Sequence, residues 1–180
     1  MKQLTIKTCL TLVVAFICLH RAVAQNAPEA PALEFVCELK IKLNPPMVVG
    51  ETPHGMRRII PIMGGTVSGP SIRAEVLTGG ADWQVVRPDG VSELEAHYQM
   101  KTDDGVIIYI KNTGLRVASP EVVARMSRGE QVSASEYYFR AVPKFEAPKG
   151  SKYEWMNNAI FICKGIKNPD NVAIQVWKVL

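Results

Sequence analysis

Leu33-Glu-Phe-Val-Cys-Glu-Leu-Lys-Ile-Lys-Leu43 sets Leu33, Phe35, Cys37, Leu39, Ile41 and Leu43 on one face and Glu34, Glu38, Lys40 and Lys42 on the other. Side chains alternate across an extended backbone, so this stretch reads as a half-buried β-strand. Glu93–Lys101 repeats the pattern, with Leu94, Ala96, Tyr98 and Met100 facing one way and Glu93, Glu95, His97, Gln99 and Lys101 the other. Residues 106–111, 137–142, 159–163 and 172–179 are rich in β-branched and aromatic side chains, which suit a pleated surface. Gly79-Gly80, Asp89-Gly90, Asp104-Gly105, Thr113-Gly114 and Pro169-Asp170 supply the backbone freedom or preset φ that turns use. Turns every ~10–15 residues predict about eight or nine antiparallel strands.

One short helix is expected between strands. Ser119 is a good N-cap, Pro120 suits the first helical position, and Glu121 favours the positive end of the helix dipole. Val122, Val123 and Met126 form its apolar stripe, and Gly129 closes it. So short a helix cannot cover a sheet of this size, so the sheet must bury its apolar face on itself. An all-β antiparallel barrel follows, with a β-sandwich as the alternative.

Composition is that of a globular chain: 180 residues, 47% hydrophobic and 21% charged. The formal charge of +4 arises largely at the N-terminus. Lys2, Lys7 and Arg21 lie in the segment 1–24, which carries no acid, and setting them aside leaves 18 basic against 17 acidic side chains. Such a near-neutral body offers no electrostatic footprint for nucleic acid. Two lysines, an apolar run over residues 8–19 and Ala22-Val23-Ala24 follow the order of a secretory signal. The run is shorter than the ~20 apolar residues of a membrane span. We therefore expect a signal peptide over 1–24 and no stable membrane insertion once it is cleaved. Export to a periplasmic or secreted location follows, with a flexible leader over 25–32 and a single barrel domain over 33–180.

Cleavage removes Cys9 and Cys18 and leaves Cys37 and Cys163. In an oxidising compartment these two either pair as a disulfide or sit as separate buried thiols; both readings stand at this stage. No His spacing of a zinc site, no G-x-S-x-G and no phosphate-binding glycine loop is present, so neither a metal nor a cofactor is expected. His97 shares a strand face with Glu95, Gln99 and Lys101, which reads as a solvated histidine. The chemistry-bearing residues left within strands are Glu75, Asp82, Trp83, Tyr98, Tyr109, Arg116, Tyr138, Arg140, Glu146, Trp155 and Asn157. An inward carboxylate or guanidinium in a small barrel must be paired or await a ligand. Structural pairing of Glu75 or Asp82 with Arg140 or Arg116 would satisfy the same demand.

The blocks Arg57-Arg58-Ile-Ile-Pro-Ile-Met-Gly-Gly-Thr-Val-Ser-Gly-Pro70, Gly79-Gly-Ala-Asp-Trp-Gln84 and Arg87-Pro-Asp-Gly90 resemble the family catalogued as domain of unknown function 3237. Thr102-Asp-Asp-Gly105, Asn112-Thr-Gly114, Tyr137-Tyr-Phe-Arg140, Pro143-Lys-Phe-Glu146 and Tyr153-Glu-Trp-Met-Asn157 extend the resemblance over residues 33–179. It implies a small antiparallel barrel. Ala74 and His97 depart from the pattern, where a glycine and an arginine are expected.

Two functions of different class are compatible with these residues. In the first, the barrel encloses a small, partly aromatic organic molecule. Trp83, Tyr98, Tyr109, Tyr138 and Trp155 form its flat walls, Arg116 or Arg140 holds a carboxylate or phenolate, Asp82 or Glu75 orients it, and Asn157 completes the lining. In the second, the protein is a cofactor-free isomerase, lyase or hydration catalyst. Asp82 or Glu75 moves a proton there, and Tyr98 or Tyr138 donates to a developing enolate.

Overall fold

The computed structural model describes residues 28–180. The signal segment over 1–24 and residues 25–27 of the leader lie outside the described residues; 28–32 are exposed and enter no strand. Nine strands follow: β1 (Leu33–Leu43), β2 (Met47–Thr52), β3 (Gly55–Ser68), β4 (Arg73–Val86), β5 (Ser92–Thr102), β6 (Ile107–Ala118), β7 (Tyr137–Glu146), β8 (Phe161–Lys167) and β9 (Val172–Val179). Helix α1 (Pro120–Ser127) joins β6 to β7, and a single 3-10 turn (Glu154–Asn158) precedes β8.

All pairings are antiparallel, in the order β1-β9-β8-β7-β6-β5-β4-β3-β2, and β1 pairs again with β3 through Leu39↔Val67 and Lys40↔Thr66. That second pairing closes eight strands into a barrel and leaves β2 as an extra hairpin strand on β3. Closure replaces the sandwich alternative. Eight strands enclose an interior just wide enough to be filled by side chains or to hold one small ligand. Leu39, Met100, Ile108, Ile110, Phe161 and Val176 pack its core.

Two features of the alternation depart from expectation. In β1 the register shifts between Phe35 and Cys37, so Val36 is 1% exposed while Phe35 is 39% exposed. A bulge of this kind inserts one residue and reverses the facing of everything before it. Phe35 instead meets the Trp177 ring edge-on at 5.8 Å on the outside. Second, Gly79-Gly80 and Thr113-Gly114 are not turns but lie inside β4 and β6. A Cβ on Gly114 would stand 2.3 Å from the Ala141 Cβ, so glycine there permits close approach of β6 and β7.

The helix forms where its cap residues place it. Ser119 Oγ accepts the Val122 N–H at 3.3 Å, Pro120 begins the first turn, and the Gly129 N–H donates to the Met126 carbonyl at 3.1 Å. Val122 anchors α1 in the core. Val123, Met126 and Ser127 of the same helix line the cavity, with Val123 and Ser127 still exposed to solvent.

Candidate functional site

A cavity of about 510 Å³ occupies the barrel between α1, the Asn44-Pro45-Pro46 connection and the inner faces of the strands. Much of its wall is aliphatic, including Ile60, Ile62, Leu94, Ala96 and Ile174, with Phe139 and Tyr98 as its aromatic members. Against this wall stands a compact polar group: Arg58 from β3, Asp82 and Gln84 from β4, Asn112 and Arg116 from β6, and Lys167 at the end of β8. The pleat explains why they converge. Arg58 pairs in register with Gln84, Asp82 with Ala96, Ala96 with Asn112, and Ser92 with Arg116, so successive strands present these positions to one interior side.

Hydrogen bonds fix the group in a chain. Arg58 Nε donates to Gln84 Oε1 at 2.6 Å, and Gln84 Nε2 donates to Asp82 Oδ2 at 3.2 Å. The other Asp82 oxygen, Oδ1, accepts the Glu95 backbone N–H at 2.9 Å. Arg116 Nη2 donates to Ser92 Oγ at 3.3 Å. Burial raises the Asp82 carboxyl above the ordinary carboxylate range, although its hydrogen bonds and the charges of Arg116 and Arg58 oppose that rise. Burial likewise lowers Arg58 and Arg116, and the charge of Arg58 depresses Arg116 further. Lys167 is lowered by burial and then by Arg116. A carboxyl held toward its neutral form, surrounded by N–H donors in an apolar chamber, can donate or accept a proton on an enclosed molecule.

Of the residues expected at a site, Asp82, Tyr98 and Arg116 line this cavity. Tyr98 is 2% exposed, and burial pushes its phenol upward. The others lie elsewhere, those on strands because of their parity and Trp155 and Asn157 because they belong to the 3-10 turn. Trp83 follows Asp82 by one position and so faces outward, where its ring meets His97 edge-on at 5.4 Å. Tyr109, between the buried Ile108 and Ile110, also faces out, and its hydroxyl pairs with His97 Nδ1 at 2.5 Å. Tyr138 is 53% exposed and carries the Arg140 guanidinium 5.3 Å from its ring centre on the outer face of β7. Glu75 sits in a separate surface depression with Ala74, Lys101, Thr102 and Asp103. The ring of Trp155 packs against Phe161 at 5.8 Å, and Asn157 ties down the Ala147 backbone through N–H and carbonyl contacts of 2.8 and 2.9 Å.

The cysteines are two free, buried thiols, which corrects the disulfide alternative. Cys37 on β1 and Cys163 on β8 both stand in register with Val176 of β9, so a whole strand separates them. Two strand spacings are about 9–10 Å, beyond the ~7 Å that a disulfide spans between Cα atoms. Cys163 instead lies 3.7 Å from Asn112 Nδ2.

A family model described as "Protein of unknown function (DUF3237)" matches residues 31–179. The chain belongs to the DUF3237 family. A UPF0311 protein of Clostridium acetobutylicum is 42% identical to it over 147 residues, which cover 81% of this chain and 92% of that one. The crystal structure of a conserved protein of unknown function from Rhodopseudomonas palustris matches with a TM-score of 0.81 at 37% identity, over 85% of this chain and 100% of that chain. More distantly, the hydroalkoxylation enzyme phnH of Penicillium herquei is 23% identical over 133 residues, 74% of this chain and 73% of that protein.

Four members of the converging polar group in this DUF3237 barrel were not singled out as site residues from sequence: Arg58, Gln84, Asn112 and Lys167. A signal for three of them was present. Arg58 shares parity with Ile60 and Ile62, Gln84 stands two residues beyond Asp82, and Asn112 and Arg116 continue the inward series of Ile108 and Ile110. A polar side chain on the apolar parity of a strand is the informative observation. Lys167 ends its strand, where parity carries no such message.

Proposed function

We propose that this barrel binds one small organic molecule in its interior, with a flat apolar body against Phe139 and Tyr98 and a polar end at the Arg58–Gln84–Asp82–Arg116 cluster. The observation that carries this reading is the chamber itself: about 510 Å³ of mostly aliphatic wall with one convergent polar group. Ligand sites of ~300–1,000 Å³ have this anatomy. Filling the chamber by Ala96→Trp should abolish thermal stabilisation by any ligand found in a small-molecule screen. A ligand that stabilises the filled variant as strongly as the original protein would refute interior binding.

A second reading makes the same site a cofactor-free acid–base catalyst, and Asp82 favours it because burial holds its carboxyl toward the protonated form. Addition of a hydroxyl across a double bond, the reaction class in the name of the Penicillium herquei relative, balances without oxidant or reductant. One proton passes from the carboxyl to carbon, and the hydroxyl proton returns to the carboxylate as the C–O bond forms. Asp82→Asn should abolish deuterium uptake from D2O into an enolisable aryl ketone bound in the cavity while leaving its affinity largely intact. Uptake at the original rate would refute the assignment. For either reading we propose that the protein works after export, the segment 1–24 having served as the signal.

A further inference from the structure

We propose that the molecule taken into the cavity is an organic anion, a carboxylate or an ionised enol or phenol, whose negative group is clamped jointly by Arg58 and Arg116. The inference rests on the interior-binding reading above and adds the charge of the ligand to it.

The charges around this one chamber do not balance. Arg58, Arg116 and Lys167 line it with a single carboxylate, Asp82. Among the described residues none of these three cations lies within 4.0 Å of a carboxylate oxygen. Their close partners are neutral: the Gln84 amide oxygen for Arg58, the Ser92 hydroxyl for Arg116, and the Asn168 carbonyl for Lys167, at 2.6, 3.3 and 3.0 Å. Asp82 is a single negative charge against these three cations, and the hydrogen bonds it accepts come from Gln84 and the Glu95 backbone. Outside the chamber the arginines divide: Arg57 and Arg140 donate to the backbone carbonyls of Trp83 and Phe139. Arg87 and Arg125, on the surface, each contact two acids.

Desolvated guanidinium groups that share a chamber repel each other and are costly without a counter-charge. Burial first and then the charge of Arg58 lower Arg116, and Asp82 opposes them. A planar anion relieves the repulsion by accepting from the remaining N–H groups of both forks, the geometry that guanidinium groups favour. The aliphatic wall then receives the body of the molecule. Trp83, Tyr109, Tyr138 and Trp155 lie outside the chamber, so recognition falls on the cations and not on an aromatic cage.

The test compares 2-naphthoate with 2-naphthamide, near-identical in shape and different in charge, by calorimetric titration of the protein. The acid should bind at least tenfold more tightly than the amide, and added salt should weaken the acid alone. Arg58→Gln and Arg116→Gln should each erase most of that preference. Arg116→Lys, which keeps the charge, should retain part of it, and serves where the neutral variants fold poorly. Equal affinity for acid and amide, with both excluded by Ala96→Trp, would overturn the anion inference and leave interior binding standing. Binding of neither probe, or binding undiminished in Ala96→Trp, would overturn interior binding and this inference together.

Discussion

Gly80 shows how little room single positions have around this chamber. A Cβ there would lie 2.5 Å from the Tyr98 Cβ and 2.6 Å from the His97 carbonyl oxygen, so one strand would have to move. Gly80→Ala should therefore destabilise by about 1–3 kcal/mol, as overpacking does, and lower the melting temperature by several degrees in calorimetry. Asp82 carries a prediction of the opposite kind. The folded chain retains a proton on Asp82 that the unfolded chain releases, since burial raises the folded value. Its contribution is thus neutral below the ordinary carboxylate range and becomes increasingly unfavourable as pH rises from there to the raised value. Asp82→Asn never ionises, so unfolding free energy of variant minus wild type should climb across that interval and level off above it. Denaturant titrations between pH 3 and 8 measure the difference; a falling curve would mean that attraction to Arg58 and Arg116 outweighs burial. The thiols make a third case. Burial pushes Cys37 up to about 12 and Cys163 up to about 11. Both should resist a thiol reagent at pH 8 in the native state and react fully once denatured, with no disulfide in the intact mass.

At the scale of elements, α1 begins at a cap supplied by one side chain, Ser119. Ser119→Ala removes the acceptor for the Val122 N–H and should cost about 1 kcal/mol, within the usual range for lost N-caps. Because Val123 and Met126 line the cavity, the same change should speed ligand release more than it slows association, which stopped-flow titration resolves. The helix was legible in the residues from Ser119 to Gly129 because capping is local chemistry. So were β1 and β9, whose expected bounds, 33–43 and 172–179, coincide with the strands found. What was not legible depends on neighbours. The bulge that turns Phe35 outward is a property of β1 against β9, and the glycines inside β4 and β6 resemble turns until the facing Tyr98 and Ala141 side chains are in place. Parity within a strand is readable from one chain segment; the phase of that parity against the core is set by pairing.

The whole molecule turns those local phases into a site. Asp82, Tyr98 and Arg116 are readable as strand residues with polar chemistry, but whether they meet is decided by the β1–β3 pairing that closes the tube. Closure selects one parity from each strand, which is why Trp83, Tyr109 and Tyr138 fall away together while Arg58 and Gln84 enter. It also bears on the proposed export. The barrel takes its first strand residue at Leu33, and the Leu180 N–H donates to the Ala32 carbonyl at 2.9 Å, so both ends of the barrel domain are tied together at that point. Cleavage after Ala24 would leave only the leader over 25–32 ahead of β1. Of that leader, 28–32 are exposed, so loss of the segment 1–24 removes no described strand. The processed protein should therefore begin at Gln25, and a version produced without residues 1–24 should melt at the same temperature as the chain that retains them. Intact mass of protein recovered from outside the cytoplasm reads the first expectation and calorimetry the second. An exported form that retains Met1 would refute cleavage, and a large loss of stability in the shortened form would mean that the segment 1–24 belongs to the fold.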